Sequence, residues 1–445
     1  MKVGIVGAGI LGLSLGYRLA KRGHTVEIFD ASPDLGGLAA AQDYGPFVWD
    51  RFYHCILPTD QHLIGLLREL GLGDELRWTN TGTGYYARGR FHDMNGNADF
   101  LRFPLLSLVD KARLGAMIVY ATRFADPWKL YRVSAQDWLT RICGRRAYEV
   151  FWRPLLKAKF GPFYDQIAAV FIWATLTRLF GARSTTTAQE KMGYCSGGYA
   201  RILGRMREAL ESKGAAIHLA APVLAIRPGG QAEGGVSLES EPTGPRHFDQ
   251  VFFTGPTRLA KKAAAPAYHA DIDRVARDHP TSAAYLGVAC LVLALKRKLT
   301  PYYVLNIGEE SVKLTGLIEM TNLIDPNVET KGLSLVYLPQ YMDSADPRFD
   351  EPDEVLSRTM IDQGIKRLFA DFDPSDVVYG KVHRARYVQP LPLVRNASAA
   401  PRAAFPRLER PFQVLNTSML TCATLNNNEV VAFVDKFLDE SATSL

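Results

Sequence analysis

Three glycines near the start of the chain have the spacing of a turn that binds phosphate. Gly7, Gly9 and Gly12 follow the apolar run KVGIV and open a segment of helical periodicity over residues 10–22. The first glycine allows a tight turn, the second lets a pyrophosphate reach the backbone, and the third lets helix and strand pack closely. The helix N-terminus would offer free N–H groups and a positive dipole to the phosphates. The pattern predicts dinucleotide binding, with a purely structural turn as the alternative.

An acidic residue stands where a ribose-binding acid is expected. The strand-like run HTVEIFD ends at Asp30, 23 residues after Gly7. Its carboxylate could accept hydrogen bonds from ribose hydroxyls, and its charge would repel a 2′-phosphate. Strand, glycine turn, helix and strand in succession make a βαβ unit, which is the context that such a site needs.

The segment Asp50-Arg51-Phe52-Tyr53-His54 holds candidate catalytic groups. His54 could donate or accept a proton near neutral pH, although a histidine between aromatic residues could equally be structural. Arg51 could bind an anion of the substrate or the cofactor, or form an ion pair with Asp50. We place Tyr53, His54 and Tyr387 in the predicted catalytic set.

Two sets of cations are predicted to bind substrate. Arg153 and Lys157 are four residues apart on a predicted helix that also carries Lys159, so the first two share a face and could clamp a carboxylate or a pyrophosphate. The alternative is that these cations form a solvated basic face. The second set, a pair of arginines, lies on a predicted strand.

That second pair is Arg384 and Arg386, which must lie on one side of their strand. Tyr387 is expected on the other side with His383 and Gln389, where it could line a substrate cavity.

The remaining periodicity predicts the elements that position these residues. The predicted helices, the first of them with Thr59 as N-cap, are 58–76, 107–123, 134–143, 145–159, 165–180, 198–213, 352–370 and 427–440. The predicted strands are 2–6, 24–30, a pair over 215–228, 249–255, 282–299, 331–341, 377–392 and 412–420. Residues 228–247 are predicted to be a hairpin or loop, and residues 396–411 a loop.

Helix 107–123 is apolar and has Lys111, Arg113 and Arg123 at its ends. It could lie in a bilayer interface, and a core helix is the favoured alternative. No run of 18 uninterrupted apolar residues predicts a membrane-spanning helix.

Composition excludes several classes of protein. The 445 residues are 47% hydrophobic, and 52 basic against 46 acidic residues give a net charge of +6. This excess is too small for dedicated nucleic-acid binding but permits an anionic substrate or membrane surface. Five scattered cysteines without a CxxC pair argue against a cysteine-ligated metal and indicate a reducing, cytoplasmic setting. No metal site is predicted.

Several segments resemble FAD enzymes of the flavin amine oxidase superfamily. ASPDLGGLAA carries a second glycine pair after the acid, as in the extended fingerprint of that superfamily. FWRPLLKAKFG, MGYCSGGYARILGRM and LNTSMLTCATLNNNEVVAF then occur in the family's order. The stretch YGPFVWDRFYHCILPTD resembles bacterial protoporphyrinogen-oxidase-like and phytoene-desaturase-like flavoproteins, and its Tyr44-Gly45-Pro46 step is similar to UDP-galactopyranose mutases.

The resemblance implies an α/β fold, in which a Rossmann-type FAD-binding domain joins a second α+β substrate domain and FAD is held non-covalently. The implied FAD domain comprises residues 1–78, 190–260 and 405–445, and the substrate domain 79–189 and 261–404. The predicted cofactor-binding residues are Gly7, Gly9, Ile10, Leu11, Gly12, Asp30, Ala31, Gly36, Gly37, Leu38, Val223, Asn416, Asn427 and Asn428.

The chain departs from the family pattern at three places. Asp34 stands where most relatives carry an arginine. Asn426, Asn427 and Asn428 stand where relatives usually place a glycine and an acid, and they could bind the cofactor or cap a helix. The predicted strand that carries a lysine in amine oxidases has none before Lys296.

The function predicted from these observations is dehydrogenation or desaturation of an apolar or polycyclic small molecule by hydride transfer to FAD, with oxygen or a quinone as acceptor. The alternatives are a redox-neutral nucleotide-sugar mutase, an amine oxidase, and a flavin-binding protein without redox activity. No nucleic-acid partner is expected. The predicted localisation is cytoplasmic, with a peripheral contact at the inner face of the membrane as an option.

Overall fold

The computed structural model describes residues 1–181, 190–230, 234–279, 281, 284–394 and 411–440. The strands in these ranges are β1 Lys2–Val6, β2 Thr25–Phe29, β3 Ala41–Asp43, β4 Val48–Asp50, β5 Leu76–Thr81, β6 Thr83–Ala87, β7 Arg90–Asp93, β8 Glu190–Cys195, β9 Ala216–His218, β10 Val223–Pro228, β11 Val236–Ser240, β12 Gly244–Phe248, β13 Gln250–Phe253, β14 Tyr285–Leu295, β15 Val304–Ile307, β16 Gly316–Glu319, β17 Ser334–Asp343, β18 Val377–Pro390 and β19 Phe412–Val414.

The helices in the same ranges are α1 Ile10–Lys21, α2 Gln61–Glu69, α3 Asn97–Arg102, α4 Leu108–Arg123, α5 Pro127–Leu130, α6 Ala135–Cys143, α7 Arg145–Ala147, α8 Arg153–Phe160, α9 Ala169–Gly181, α10 Gly198–Glu211, α11 Thr257–Ala263, α12 His269–Asp278, α13 Pro326–Glu329, α14 Asp353–Met360, α15 Lys366–Leu368 and α16 Asn427–Glu440. One π-helical stretch, Tyr148–Trp152, joins α7 to α8, and another, Ile361–Ile365, joins α14 to α15.

The first lobe is built on a five-stranded parallel sheet with the order β19-β13-β1-β2-β9. Its central strand β1 is an apolar run whose middle residues are buried, as expected for a parallel strand covered on both faces. Helices α1, α2, α10 and α16 form the core on one face. The antiparallel sheet β10-β11-β12 covers the other. These layers confirm the predicted Rossmann-type organisation.

The second lobe is built on a seven-stranded sheet with the order β18-β14-β17-β16-β15-β6-β7. Only the β15–β6 pair is parallel. All eleven residues of β14 are buried, because both faces of this strand are covered. Its even-numbered residues from Val288 to Ala294 pack against the segment around Tyr44 and Trp49, and its odd-numbered residues pack beneath α14. One face of the large sheet therefore meets the segment that carries the candidate catalytic residues.

Most predicted elements are confirmed, with differences at their ends. Helix α2 is shorter than predicted and Asp60, rather than Thr59, occupies its N-cap position. The predicted hairpin or loop at residues 228–247 contains the hairpin β11–β12 among its described residues. The predicted strand 412–420 ends at Val414, because Asn416 caps a short 3-10 helix there. The predicted loop 396–411 falls almost entirely outside the described residues.

Helix α4 is confirmed and begins at a capping box formed by Ser107 and Asp110. One face packs into the second lobe through Leu114 and Met117, as predicted for a core helix. The opposite face leaves apolar side chains exposed, among them Leu108.

The predicted domain boundaries stay predictions. Helices α11 and α12, which follow Pro256, pack on the first lobe, where Ala260 and Ile272 share a core with Phe248. Strands β5 and β8 pair with each other, so the chain crosses between the lobes at this two-stranded sheet.

Candidate functional site

The glycine turn leaves an open space in front of helix α1. Gly7 has a φ of +111°, and a Cβ there would lie 2.3 Å from Thr254 Oγ1. A Cβ at Gly12 would lie 1.9 Å from the Gly7 carbonyl oxygen. At Gly9, in contrast, a Cβ would meet nothing closer than the Gly36 carbonyl oxygen at 3.9 Å. Two of these glycines are required by packing, and the third faces open space.

The N-terminus of α1 has the free donors that a phosphate needs. Gly9 is its N-cap, no side chain among the described residues caps it, and its first turn carries no acid. The backbone N–H groups of Ile10 and Leu11 precede the first intrahelical donor, Leu13, which bonds to the Gly9 carbonyl oxygen at 2.9 Å. These residues fit a dinucleotide pyrophosphate.

The ribose acid lies beside the turn as predicted. Asp30 accepts hydrogen bonds from the backbone N–H groups of Ala8 at 2.6 Å and Ser32 at 2.8 Å. These bonds fix the carboxylate and leave acceptor positions for a ribose. Ala31 follows on the surface, and Ala221, two residues before Val223, donates to the Asp30 carbonyl oxygen at 2.8 Å.

The second glycine pair touches the first glycine turn. Gly36 donates to the Ala8 carbonyl oxygen at 2.9 Å and forms a parallel bridge with Gly9. A Cβ at Gly37 would lie 3.3 Å from the Gly9 Cα. Leu38 follows in a short 3-10 helix. The two glycine segments thus enclose one space.

Arg51 pairs with Asp34, and not with Asp50 as the structural alternative predicted. Asp34 is the residue that stands where most relatives carry an arginine. The ion pair therefore brings a guanidinium to the glycine pair from a different part of the chain. Arg51 Nε is buried and has no hydrogen-bond partner among the described residues, so it remains available to an acceptor.

Asp50 organises the residues around His54. Its side chain is 2% exposed, and one carboxylate oxygen accepts from the Tyr199 N–H, at the start of α10, at 2.8 Å. The other lies 3.6 Å from His54 Nδ1, which is buried without a hydrogen-bond partner in the described chain. The Asp50 carbonyl oxygen accepts from the hydroxyls of Tyr337 at 2.6 Å and Tyr44 at 3.0 Å. Asp50 is thus held in place with one carboxylate oxygen directed at His54.

Tyr53 joins a group of buried tyrosines over the face of the large sheet. The Tyr53 and Tyr341 hydroxyls are 3.1 Å apart, and the Tyr53 and Tyr337 ring centroids are 6.1 Å apart. Burial raises the pKa of all three tyrosines, so they stay protonated at neutral pH. Tyr53 and Tyr341 nevertheless keep some accessible surface.

Lys159, on helix α8, lies close to the ring of Tyr341. Its Nζ is 5.2 Å from the Tyr341 ring centroid and 5.4 Å from that of Phe171. Burial lowers the pKa of Lys159 to about 8. No carboxylate of the described residues forms a salt bridge with it.

The predicted clamp residues on the same helix already have partners. Arg153 pairs with Glu149 at 2.7 Å, and Lys157 pairs with Glu310 at 2.7 Å. Both contacts lie near the surface, which favours the alternative of a solvated basic face.

Arg384 and Arg386 lie on one side of β18, as their alternation predicted. Arg384 pairs with Asp353, and Arg386 pairs with Asp350. Arg384 is opposite Ala289, on the face of β14 that α14 covers. Both arginines therefore lie on the face of the sheet away from Asp50 and His54.

The other face of β18 presents His383, which is opposite Cys290. Burial, with the nearby charges of Lys381 and Arg51, lowers the pKa of His383 to about 4. Tyr387 packs edge-on against Tyr285 with ring centroids 5.8 Å apart, and the Arg258 guanidinium lies over its ring. The pairing of β18 with β14 is irregular here. No contact in the described chain joins Tyr387 to Tyr53 or His54.

The C-terminal asparagines cap helices. Asn426 Oδ1 accepts from the Glu429 N–H at 3.1 Å at the start of α16. Asn428 Oδ1 accepts from the N–H groups of His62 at 3.0 Å and Leu63 at 3.1 Å, so it caps helix α2 from a distant segment. The capping alternative is therefore confirmed, and it leaves Asn427 as the member of the set that is not a cap.

The side chain of Asn427 lies near Tyr199, whose ring is 4.7 Å from that of His54. Both the amide nitrogen and the amide oxygen of the Asn416 side chain have hydrogen-bond partners. It donates to Gly255 and Thr257 and accepts from Ser418. This arrangement gives Asn416 a structural role next to the sheet.

Four residues of the site were outside the predicted set: Asp50, Lys159, Tyr337 and Tyr341. Lys159 is two residues after Lys157, which turns it about 200° around the helix and away from the surface. Tyr337 and Tyr341 have strand period 2 on β17, so that pattern places them on one face of the sheet. The sequence around Asp50 does not indicate its role, because that role depends on a hydrogen bond from Tyr199 at the start of the distant helix α10.

Comparison with known proteins identifies the family of the chain. The model for flavin containing amine oxidoreductases matches residues 11–408. A 15-cis-phytoene desaturase of Synechococcus elongatus is 29% identical over 213 residues, 43% of each chain. A protoporphyrinogen oxidase 2 of Arabidopsis thaliana is 31% identical over 74 residues, 17% of this chain and 15% of that one. The matches span less than half the length of these curated relatives.

Two solved structures share the fold at low identity. A protein described as a protoporphyrinogen oxidase from Exiguobacterium superposes with a TM-score of 0.73 at 18% identity, covering 100% of this chain and 99% of that one. A reduced UDP-galactopyranose mutase superposes with a TM-score of 0.64 at 17% identity, covering 88% of this chain and 84% of that one. At this identity the likeness concerns the fold alone.

Proposed function

The chain belongs to the flavin containing amine oxidoreductase family, and we propose that it holds FAD non-covalently and uses it to dehydrogenate or desaturate an apolar small molecule. The observation that carries this proposal is the open space at Gly9. It lies before the free N–H groups of α1 and between Asp30 and the second glycine pair.

Each part of the cofactor has a candidate partner in the chain. The N–H groups of Ile10 and Leu11 would bind the pyrophosphate, and Asp30 would bind a ribose. Arg51, with its free Nε, would neutralise phosphate charge or bind the flavin. Bound flavin would accept a hydride from the substrate.

Two residues would handle substrate protons beside the flavin. His54 Nδ1 has no hydrogen-bond partner in the described chain, and the Asp50 carboxylate lies 3.6 Å from it and would orient the ring. Tyr53 has a neutral hydroxyl in contact with Tyr341. Together they would hold or move a proton of the substrate.

The state of the thiols supports non-covalent binding. Burial raises the pKa of Cys422 to about 11 and those of Cys143 and Cys195 to about 12. It also raises the pKa of Cys290. A protonated thiol is a weak nucleophile, so these four side chains are poorly suited to form a bond to a flavin.

An apolar substrate is supported by the surroundings of Tyr53 and Tyr341. These two partly buried tyrosines lie against a core layer that includes Val288, Val292 and Tyr337. The cations predicted to bind substrate on β18 lie on the other face of the sheet. The surroundings of the site are therefore mostly aromatic and aliphatic, which suits a desaturase or a dehydrogenase of hydrocarbon-like substrates.

The exposed face of α4 supports contact with an anionic bilayer surface. Leu108 is 74% exposed and Phe124 is 75% exposed, and Val109, Val119 and Tyr120 lie on the same helix with large exposed areas. Arg123 is exposed at the end of the helix. Apolar side chains flanked by basic ones are typical of a helix that lies in a membrane interface. Within the described ranges no helix has the length and apolarity to cross a bilayer.

Two alternatives of another reaction type have less support. A nucleotide-sugar mutase is favoured by the shared fold. However, Arg153 and Lys157, which the sequence pattern predicted to clamp a carboxylate or a pyrophosphate, are paired with acids. An amine oxidase is disfavoured because β14 has no lysine, and Lys296 follows the strand and donates to the Ser375 carbonyl oxygen.

The proposed function is tested by anaerobic flavin reduction. We expect the purified, FAD-loaded protein to lose its oxidised-flavin absorption when it meets a suitable polycyclic or polyene substrate, and His54→Gln to slow this step roughly a hundredfold without changing FAD content. Turnover of a nucleotide sugar only after FAD has been reduced chemically, with no net electron flow, would instead establish the mutase. A FAD complex that no substrate bleaches would contradict both.

A further inference from the structure

Lys159 lies against the ring of Tyr341 and forms no salt bridge with an acid of the described residues. We propose that Lys159 and Tyr341 bind a carboxylate group of the substrate, so that the substrate is an apolar molecule with an acidic end. This inference rests on the proposed function and adds the substrate class to it. Lys159 is not among the cations that the sequence pattern predicted to bind substrate.

The first argument is the electrostatics of Lys159. Arg153 and Lys157, on the same helix, each have an acidic partner, whereas the Lys159 ammonium lies over the rings of Phe171 and Tyr341 and pairs with no acid of the described chain. Two ring faces compensate a desolvated cation only in part. A buried charge without a partner is costly, and an anionic ligand would supply the partner. The lysine side chain also keeps accessible surface, as a ligand site requires.

The second argument is an unused proton in the tyrosine pair. The hydroxyls of Tyr53 and Tyr341 are 3.1 Å apart, and either could be the donor. Only one of the two O–H groups can donate to the other. When Tyr53 donates, the Tyr341 O–H has no acceptor in the described chain, and it lies on the same side chain that Lys159 contacts. A cation and a hydroxyl donor together match a carboxylate.

The charge count favours a carboxylate over a pyrophosphate. One ammonium and one hydroxyl can balance a single negative charge, and the nearest further cation of α8, Lys157, is paired with Glu310. Tyr341 also lines a groove of about 320 Å³ whose walls carry both apolar and charged side chains, among them Val312, Leu314 and Lys313. This groove reaches Tyr341, and its mixed lining suits a molecule with an apolar body and an acidic end.

The binding of a carboxylate should weaken at high pH. Burial lowers the pKa of Lys159 to about 8, so its charge is present at neutral pH and is lost as the pH rises through that value. The titratable groups that face it are Tyr341 on β17 and, beyond it, Tyr53, whose raised pKa values keep both neutral. The pH dependence is therefore assigned to Lys159.

The test is calorimetric titration of the FAD-loaded protein with decanoate and with decan-1-ol. We expect decanoate to bind roughly tenfold or more tightly at pH 7 and to lose this advantage at pH 10. Lys159→Met should abolish the preference, Lys159→Arg should restore much of it, and Tyr341→Phe should reduce it. Lys366→Met removes an exposed lysine on α15 that pairs with Asp362, and should change nothing.

Equal binding of the acid and the alcohol to wild-type protein, or an unchanged preference in Lys159→Met, would overturn the proposal. If Lys159→Met fails to fold, the Tyr341→Phe titration and the wild-type pH series decide the matter. Calorimetry does not depend on flavin chemistry. If the protein takes up no FAD yet still prefers decanoate, the proposed function fails and this site stands, whereas flavin reduction by substrate without the preference would do the reverse.

Discussion

At the scale of single residues, the three glycines of the first turn have different roles, and substitutions can distinguish the glycines that the fold requires from the one that the cofactor requires. Gly12 is required by packing, because a Cβ would lie 1.9 Å from the Gly7 carbonyl oxygen. Gly9 has an ordinary φ of −75° and faces open space. The fold therefore demands Gly7 and Gly12, and the proposed ligand demands Gly9.

We expect Gly9→Ala to weaken FAD binding roughly tenfold or more and to leave the unfolding temperature of the FAD-free protein unchanged, because its methyl group would occupy the pyrophosphate space. Gly12→Ala should lower that temperature. Gly65→Ala is a matched control in helix α2, where a Cβ meets nothing within 4 Å, and should affect neither FAD binding nor folding adversely. FAD titration and thermal unfolding measure both effects. Unchanged FAD affinity in Gly9→Ala would contradict the assignment.

His383 makes the stability of the protein depend on pH. Its pKa is lowered from 6.5 to about 4 in the folded protein. Between these values the unfolded chain binds a proton that the folded chain does not, so stability falls as the pH drops through this window. We expect about 2 kcal/mol of the loss between pH 7 and pH 5 to disappear in His383→Gln. Denaturant unfolding at the two pH values measures it, and an identical loss in wild type and variant would exclude this cause.

At the scale of elements, helix α2 depends on a cap that comes from the other end of the chain. Asn428 accepts from the His62 and Leu63 N–H groups, and its side chain is buried. We expect Asn428→Ala to cost about 1–2 kcal/mol of unfolding free energy, and Asn428→Asp, which keeps the acceptor, to retain most of it. Denaturant unfolding of the three proteins decides this. Equal losses in both variants would point to packing and not to the cap.

The elements were predictable where a local pattern defines them. The βαβ unit, helix α4 and the long strands β14 and β18 follow from hydrophobic periodicity and glycine positions. The short strands β3 to β7 escaped prediction, because three to six residues carry too little periodicity and their pairing partners are distant. The sequence around residue 60 favours Thr59 as the cap of α2. The cap that Asn428 supplies comes from a distant part of the same chain, so the residues next to the helix do not indicate it.

At the scale of the whole molecule, the site is made where two lobes meet, and this limited what the sequence could predict. The glycine turns were readable because their chemistry is local. The partner of Arg51 was not, because Asp34 becomes its neighbour only after β3 and β4 pair. Lys159 and Tyr341 come from elements about 180 residues apart, so their contact depends on tertiary packing.

The exposed face of α4 gives a prediction at this scale. We expect the double variant Leu108→Glu, Phe124→Glu to reduce binding to vesicles rich in anionic phospholipid at least about tenfold. The two substitutions place negative charges where apolar side chains would enter the membrane interface. FAD content should not change. Val355→Glu, at a residue 47% exposed on α14, is the matched control and should bind as wild type does. Vesicle co-sedimentation measures the effect, and binding by the double variant equal to wild type would remove α4 as the contact.

The measurement that tests the central claim most directly is the flavin content of the purified protein after acid precipitation. We predict one FAD per chain, released into the supernatant when the chain unfolds, because the cofactor is held by backbone N–H groups, Asp30 and the glycine turns. Failure to take up FAD even after incubation with an excess, or flavin that stays attached to the precipitated chain, would contradict this account.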